Sequence, residues 1–404
     1  MEIAKNIKVY KIYSAFTELL IIGPIIVLYY MAKGLSFTEI MLLQSIGAVA
    51  VVLFEVPTGA VADKIGRVQS IVLGALFWGL SLFIYIMGRN FYVFAVGEVI
   101  FSLGGAFKSG ADTALIYDSL KELKRENEFQ KIEGSARSLI FYTQGIGAII
   151  ASFLYEINIY LPMIVSIGFM IITAIVAMNF KEPCIEGKEG RFGANYFNQI
   201  KESGIYIFGH EKIKAIILYS MIFFIFFRAG FWYYQPYMES VNIPVKYFGF
   251  IFFMFNMTAA LISNKCYKIM ELTKPRTLTF MSGLLITSFI LLGFIRVWIG
   301  VLAILLQQVA RGLYRPVTRK YMNKHIPSDK RATILSFHSL AVNLAVAVTL
   351  PFMGLLKDNV NIYTTHTILA VVMIILTYIS KKYMDKRLGV KEKQVEKDDI
   401  NEPN

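Results

Sequence analysis

The chain has 404 residues, of which 56% are hydrophobic and 17% charged, and its 41 Lys and Arg outnumber its 28 Asp and Glu to give a formal charge of +13. Soluble domains are about 45–50% apolar and about 25% charged, so this composition excludes an ordinary soluble domain. A nucleic-acid binder would be rich in charge, and a secreted disulfide scaffold would be rich in Cys, of which this chain has two. These exclusions leave a protein that crosses a membrane many times.

Apolar runs long enough to cross a bilayer occur along the whole chain. A membrane-spanning helix needs about 20 such residues, and we predict twelve spans, numbered in chain order. They cover residues 10–32, 37–61, 69–88, 91–118, 134–156, 159–180, 213–236, 246–270, 277–295, 297–321, 332–356 and 362–381. The expected fold class is therefore all-α integral membrane, with twelve transmembrane helices.

Lys and Arg are distributed unevenly between the two sides of these spans. One side carries only Lys33, Arg89, Lys246, Arg296 and Lys357. The residues Lys108, Arg137, Arg228 and Arg311 fall within spans, and all other Lys and Arg fall on the opposite side. Because cytoplasmic loops are enriched in Lys and Arg, we expect a multi-pass protein of the cell membrane with both termini in the cytoplasm.

The longest connection between spans divides the chain into two halves. We predict an N-terminal six-helix half (1–180), a cytoplasmic linker (181–212), a C-terminal six-helix half (213–384) and a charged cytoplasmic tail (385–404). The later part of the linker is either an interfacial helix or a plain connection. A helix would place Phe192, Tyr196, Ile200 and Ile207 on one face.

The two halves are similar in span order, loop length and the position of buried cations. Lys108 in span 4 aligns with Arg311 in span 10. Duplicated helical halves are typical of secondary transporters, which bind substrate near the middle of the membrane between the repeats.

The loop between spans 2 and 3 reads Gly59-Ala-Val-Ala-Asp63-Lys64-Ile-Gly66-Arg67. This segment resembles the signature loop of the major facilitator superfamily, and with the twelve spans the resemblance covers essentially the whole chain. Gly59 would permit close approach of a neighbouring helix, and Gly66 a tight turn. In the alternative interpretation, Lys64 and Arg67 only follow the distribution of positive charge.

The resemblance implies a cytoplasmic gate built around this loop. It places Asp63 against the N-terminus of span 11, near Ser328, and pairs Arg67 with Asp118 at the inner end of span 4. Arg137, two turns from the cytoplasmic end of span 5, is expected to join the same network.

Two further segments resemble bacterial drug:proton antiporters of the macrolide-efflux type. They are Glu55-Val-Pro57-Thr-Gly59 and the end of span 4, Ala114-Leu-Ile-Tyr-Asp118. The resemblance implies proton-coupled efflux of amphipathic drugs by alternating access. Two departures count against antiport and against proton coupling by the usual Arg route: Glu98 stands where such antiporters carry an Arg, and Gly145 and Gly147 lack an accompanying Pro. The alternative function is transport of a specific small metabolite, for which Lys108, Arg228 and Arg311 favour an anion.

Charged side chains within the predicted spans are the strongest candidates for function. Each costs at least about 2.5–3.5 kcal/mol on insertion scales, so it should face a partner or a cavity. They are Glu18, Glu55, Glu98, Lys108, Asp112, Arg137, Arg228 and Arg311. The family resemblance implies that spans 1, 4, 7 and 10 line a central cavity, and each of these four carries at least one charge.

Two ion pairs are expected among these groups. Lys108 and Asp112 are four residues apart and share a helix face, either as a neutral structural pair or as a site where substrate or a proton competes for one partner. Glu18 and Arg228 lie at similar depth and can pair across the cavity.

Candidates for the proton-binding carboxylate are ranked, and two alternative roles are expected for Arg311. Asp112 and Glu18 come first, followed by Glu98 and then Glu55, because burial raises the pKa of a carboxyl group and a nearby cation lowers it. Arg311 is expected either to face an anion or to pair with Glu98.

The substrate pocket is predicted from aromatic and amide side chains. The apolar wall of the pocket is assigned to Phe227, Phe231 and Tyr234 of span 7, which alternatively pack against lipid and neighbouring helices. Candidate polar contacts to the substrate are Gln144 and Gln307. With no nucleotide-binding loop and no metal-ligand spacing, we expect a transporter rather than an enzyme. We expect no metal or other cofactor, a proton gradient as energy source, and a monomer whose partners are a small molecule, protons and lipid.

Overall fold

The computed structural model describes residues 3–183, 196–274, 276–326 and 331–388, and it is built from helices. These are α1 (Lys5–Thr17), α2 (Ile26–Ala32), α3 (Phe37–Ile65), α4 (Arg67–Met87), α5 (Phe91–Lys108), α6 (Ala111–Glu122), α7 (Phe129–Ile157), α8 (Leu161–Ala177), α9 (Tyr196–Gly209), α10 (Glu211–Ser240), α11 (Phe248–Asn264), α12 (Cys266–Thr273), α13 (Thr277–Phe294), α14 (Ile304–His325), α15 (Arg331–Asn359) and α16 (Ile362–Leu388).

Local sequence signals set several helix boundaries. Ser36 begins α3 with a capping box, in which its hydroxyl accepts from the Glu39 N–H and the Glu39 carboxylate accepts from the Ser36 N–H. Gly66 separates α3 from α4 at φ +98°, a backbone conformation that favours glycine. Asn90 caps α5 by accepting from the N–H of Val93 at 3.1 Å.

Among the described residues, nine helical segments are long and apolar enough to cross a membrane. The predicted count of twelve is not confirmed on this basis. Span 1 is divided between α1 and α2, and span 6 corresponds to α8, which has 17 residues. Span 10 corresponds to α14, which contains Arg311, Arg315, Arg319, Lys320 and Lys324 and is therefore less apolar than a typical span.

The chain divides into two compact units. Unit 1 comprises Met1–Tyr196, Asn242–Met257 and Leu350–Asp358, and unit 2 comprises Phe197–Val241, Thr258–Thr349 and Asn359–Asn404. The predicted division into halves at 181–212 stays a prediction.

In unit 1, small residues allow α4 and α5 to pack closely. A Cβ atom added to Gly74 would lie 2.9 Å from the Gly104 carbonyl oxygen, and one added to Gly104 would lie 2.9 Å from the Gly74 carbonyl oxygen. Nearby, Tyr13, Ile71 and Leu115 belong to one buried apolar cluster. This packing holds α5 and its last residue, Lys108, in place.

In unit 2, α9 forms part of the second half of the predicted linker. Ile207 is buried with Ile213, Met322 and Ile326 in one cluster, so at this residue the apolar face of α9 packs on protein. Phe192 and the side chains of Tyr196 and Ile200 lie outside the described residues.

Candidate functional site

Two predicted spans of unit 1 are interrupted, and a charged residue stands at each interruption. The helix α1 ends at Thr17, Glu18 caps its C-terminus, and helical structure resumes only at Ile26. The helix α5 ends at Lys108, and α6 begins at Ala111. Interrupted helices are characteristic of transporter binding sites, because they expose backbone and side-chain groups at mid-membrane depth.

The side chains at the two interruptions bind each other. Lys108 Nζ donates to Glu18 Oε1 at 2.5 Å, and Gln144 Nε2 donates to Glu18 Oε2 at 3.2 Å. The Lys108 ammonium also lies 5.0 Å from the centre of the Trp78 ring. The side chains of Lys108 and Glu18 are 15% and 29% exposed, so the pair is mostly but not fully screened from its surroundings.

The predicted i, i+4 contact between Lys108 and Asp112 is replaced by this arrangement. Gly110 adopts φ +77° between the two residues, so they do not occupy consecutive turns of one helix. Asp112 lies in the first turn of α6, where its carboxylate accepts from the N–H and the hydroxyl of Thr113 at 2.6 and 3.2 Å. A carboxylate is favourable at a helix N-terminus, which gives Asp112 a local structural role.

Gly147 of α7 makes room for the interrupted segment that follows α1. A Cβ atom added to Gly147 would lie 2.6 Å from Ile21 Cγ2 and 3.2 Å from Leu19 Cδ2. The N–H of Ile21 donates to the Ser166 hydroxyl at 3.2 Å. This freed N–H is thus bound by protein, as it must be in a water-poor environment.

Glu98 and Glu55 occupy different environments from the Glu18–Lys108 pair. Glu98 is buried, and the Tyr85 hydroxyl donates to its Oε2 at 2.5 Å. Glu55 is exposed on α3. Arg311 belongs to the other unit, so its expected pairing with Glu98 stays a prediction, as does the pairing of Glu18 with Arg228.

The loop between α3 and α4 forms a second charged cluster. Arg67, at the start of α4, forms an ion pair with Asp118 of α6, which is the contact expected from the sequence. The carboxylate of Glu182 accepts from the N–H groups of Arg67 and Val68 at 2.8 and 2.9 Å. Glu182 therefore caps the N-terminus of the helix that carries Arg67.

Other residues predicted to act with this loop are placed differently. Arg137 binds Glu133, four residues earlier on α7, at 2.6 Å, and not Asp118. An added Cβ atom at Gly59 would meet no described atom within 4 Å, so the expected close helix contact is not formed there. Lys64 is exposed, whereas the side chain of Asp63 and the residue Ser328 lie outside the described part of the chain.

Unit 2 contains a continuous network of polar side chains. Arg311 donates to Gln308 at 3.3 Å, and Gln308 donates to the Tyr234 hydroxyl at 3.0 Å. Tyr234 in turn donates to Gln307 at 2.9 Å, which donates to Ser288 at 3.0 Å. Tyr234 and Gln307 are buried, which favours a structural role for them over the predicted contact with substrate.

Arg228, Arg311 and Arg315 are exposed cations of unit 2, and Arg311 is part of this network. The Arg228 guanidinium lies 6.0 Å from the centre of the Phe231 ring and 5.8 Å from that of Trp232. Phe227 and Phe231 are partly buried, so these two residues retain the accessibility that a pocket wall requires.

Comparison with known proteins identifies the family. The sequence pattern described as Major Facilitator Superfamily matches residues 14–281 and 217–402. The chain belongs to the Major Facilitator Superfamily. It is therefore a multi-pass membrane transporter of small molecules rather than an enzyme, and the family predicted from the Asp63 loop is confirmed.

The transporter is similar to an uncharacterised transporter, to a drug-resistance protein and to a nucleoside transporter. An uncharacterised MFS-type transporter of Bacillus subtilis, YxaM, is 23% identical over 390 residues, which is 93% of this chain and 95% of that protein. The quinolone resistance protein NorA of Staphylococcus aureus is 22% identical over 178 residues, 44% of this chain and 46% of that protein. The solved nucleoside transporter NupG has a TM-score of 0.76 at 13% identity, covering 94% of this chain and 98% of that one.

Two contributors were missed by sequence reasoning. Glu182 follows a span and reads as part of a polar linker, and Ser288 is one of several hydroxyl residues in an apolar helix. A signal existed only for Glu182, since an acidic residue next to Pro183 marks the end of a span.

Proposed function

We propose that this transporter exports amphipathic drugs in exchange for protons. The observation that carries the proposal is the Glu18–Lys108 pair, formed at two helix interruptions of unit 1. The partial relationship to NorA, a quinolone resistance protein, supports a drug substrate. The residues around Glu55 and Asp118 that resemble the macrolide-efflux type support the same class.

The pair provides a means of coupling. When Glu18 is ionised it neutralises Lys108, and when Glu18 binds a proton the ammonium loses its partner in a poorly hydrated site, which is unfavourable. Proton binding is therefore linked to any rearrangement that gives Lys108 a new partner or water. Gln144, which binds the other oxygen of Glu18, is the nearest polar group for a substrate to displace.

The membrane arrangement is proposed together with this function. Both termini lie in the cytoplasm, two six-helix halves (1–180 and 213–384) alternate access around a central site, and the protein is a monomer driven by the proton gradient. The Arg67–Asp118 contact, held by the Glu182 cap, is assigned to the cytoplasmic gate.

Everted membrane vesicles test the drug proposal. An imposed pH gradient, acidic inside, is expected to drive accumulation of a fluoroquinolone or a cationic dye, and Glu18→Gln is expected to abolish this accumulation. Glu133→Gln, which removes a carboxylate from an exposed ion pair of the same unit, is the matched control. Absence of gradient-driven uptake of every compound in a folded preparation would contradict the proposal.

A second candidate is transport of a small anionic metabolite. It is favoured by the exposed Arg228 and Arg311 of unit 2. Thermal-shift measurements with carboxylate and phosphate compounds distinguish the two candidates. Stabilisation by an anion that is lost in Arg311→Gln, without any effect of drugs, would support the metabolite.

A further inference from the structure

A cavity of about 730 Å³ lies in unit 1, where α2, α4 and α7 end and α8 begins. Its polar lining residues are Lys33, Arg89, Asn158 and Tyr160, and none of its nine lining residues is acidic. We refer to it as the Lys33 cavity. Its volume falls within the range of about 300–1,000 Å³ that is typical of small-molecule binding sites.

The Lys33 ammonium is held at the wall of this cavity. Its Nζ donates to the Tyr160 hydroxyl at 3.1 Å and to the Ile86 carbonyl oxygen at 3.4 Å. It also lies 4.6 Å from the centre of the Tyr160 ring and 5.6 Å from that of Tyr29. These bonds fix the position of the charge without neutralising it, because all of these partners are uncharged, and they use two of the three donors of an ammonium group.

Arg89 adds a second positive charge to the same lining. It is exposed, and in the part of the chain that the structure describes it forms no ion pair. The acidic residue nearest to Asn158 in sequence, Glu156, lies outside the lining and accepts from the N–H of Lys246. The Lys33 cavity therefore carries two positive charges and no negative one.

Two cations in one cavity are unusual on the predicted extracellular side. The sequence places five Lys and Arg on that side, and two of these five line the Lys33 cavity. Membrane proteins carry few Lys and Arg in their outer loops. Their convergence on one cavity indicates a site for negative charge.

Exposed apolar side chains belong to the same lining. Ile157, Ile164 and Met87 are between 50% and 74% exposed. Each lies within one turn of the end of a helix that is predicted to span the membrane, which is the level where the hydrocarbon core meets the headgroups. A soluble anion gains nothing from such a surface, whereas a phospholipid presents a phosphate next to acyl chains.

We propose that the Lys33 cavity binds the phosphate of an anionic phospholipid from the outer leaflet. Arg89 and Lys33 bind phosphate oxygens, because charge-assisted hydrogen bonds to phosphate are strong, and the exposed apolar side chains contact the acyl chains. Basic pockets between membrane-spanning helices bind anionic headgroups by the same chemistry. The proposal is independent of drug export, and its assignment to the outer leaflet uses the predicted orientation of the chain.

Binding of phosphatidylglycerol to the purified full-length protein tests the proposal. Native mass spectrometry of the protein titrated with this lipid in detergent resolves each lipid-bound species and gives the dissociation constant of the tightest site. Arg89→Gln is expected to raise this constant roughly tenfold, which corresponds to about 1.4 kcal/mol. The same variant is expected to leave the binding of zwitterionic phosphatidylcholine unchanged.

Asn158→Asp provides a second test that preserves the local fold. The Asn158 Oδ1 accepts from the N–H of Tyr160 at 2.9 Å, and an Asp keeps this acceptor while adding a negative charge to the cavity. It is expected to weaken phosphatidylglycerol binding by about tenfold. Asn361→Asp is the matched control, because the Asn361 Oδ1 accepts from the N–H of Thr364 in the same way and lies on the same predicted side, outside the cavity.

Arg296→Gln is the control for Arg89→Gln, since Arg296 is exposed on the same predicted side but belongs to unit 2. Equal dissociation constants for the parent, Arg89→Gln and Asn158→Asp would overturn the proposal, as would equal losses in the two controls. Displacement of the lipid by glycerol 3-phosphate would also overturn it, because the site would then bind a soluble phosphate compound. Transport is not measured, so a failure to export drugs would not affect the result.

Discussion

The Glu18–Lys108 pair predicts a free energy of interaction that can be measured directly. The perturbations are Glu18→Gln, Lys108→Met and the double substitution, each close to the native side chain in volume. A double-mutant cycle on the free energy of unfolding isolates the pair from the separate effects of each substitution.

The expected magnitude follows from the geometry of the pair. Two unit charges at 2.5 Å attract by about 7 kcal/mol at an effective dielectric constant of 20 and by about 1.7 kcal/mol in bulk water. Because the two side chains are partly exposed, the value falls between these limits, and ordering of the Lys108 side chain reduces it further. We expect an interaction free energy of about 2–4 kcal/mol.

Unfolding by sodium dodecyl sulfate in mixed micelles, followed by tryptophan fluorescence, provides the assay. The control cycle uses Arg137 and Glu133, which also lie 2.6 Å apart but with the Arg137 side chain 60% exposed. Exposed helical pairs contribute about 0.3–0.5 kcal/mol. The comparison therefore holds distance nearly constant and varies burial.

An interaction free energy below about 0.5 kcal/mol for Glu18 and Lys108, or one equal to the control, would refute this reasoning. The double variant gives a further result. It removes both charges together, so it is expected to be more stable than Glu18→Gln alone, which leaves a buried ammonium unpaired. It should still lack coupling to the pH gradient.

Three smaller predictions concern residues in the loops or at the ends of helices. Gly66→Ala is expected to destabilise the fold by about 1–2 kcal/mol because φ at this residue is +98°. Gly59→Ala has open space around the Cβ position and should be neutral or stabilising by up to about 1 kcal/mol. Equal effects of the two variants on the free energy of unfolding would contradict this expectation. Glu182→Gln removes a charge from the N-terminus of α4 and should lower the free energy of unfolding by about 0.5–2 kcal/mol in the same assay. Burial raises the pKa of the Cys266 thiol, so in the Cys184→Ser variant the alkylation of Cys266 should be slow at neutral pH. The rate of alkylation should keep increasing above the pH at which that of an ordinary thiol levels off, and a pH profile of the rate checks this.

The features predicted well from sequence are those that depend on short segments. The loop motif identified the superfamily, and the tight turn expected at Gly66 of that motif is found at φ +98°. The contact of Arg67 with Asp118 also follows from the motif. Their role in a gate stays a prediction.

The interruptions of spans 1 and 4 were missed because an average over about 20 residues does not detect them. Residues 19–25 are apolar, yet none of them is helical, and residues 21–25 form turns. In span 4 the signal was Ser109-Gly110, where a positive φ ends one helix and starts another. Once the helix is broken, spacing along the sequence no longer predicts the partner of Lys108.

The direction of single polar residues on α10 and α14 was equally hidden. The helix α10 is apolar on several faces, and α14 carries adjacent polar residues at Gln307 and Gln308, so periodicity does not reveal that Tyr234 and Gln307 point into unit 2. Their burial depends on Gln308, the next residue along α14, and on Ser288 of α13, which complete the network. Satisfied hydrogen bonds, rather than hydropathy, decide where these side chains lie.

The cost of a broken helix in a membrane argues that the interruptions at Glu18 and Lys108 are kept for function. Backbone groups freed in hydrocarbon cost several kcal/mol each, so broken helices persist where protein or a cavity satisfies them. Here Gly147 and Ser166 accommodate one interruption, and Gly110 shapes the other. A fold that needed only stability would be served by two continuous helices with apolar residues at both positions. Two interruptions whose end residues form one ion pair, next to Gln144, instead make a charged site that a proton or a substrate can disturb.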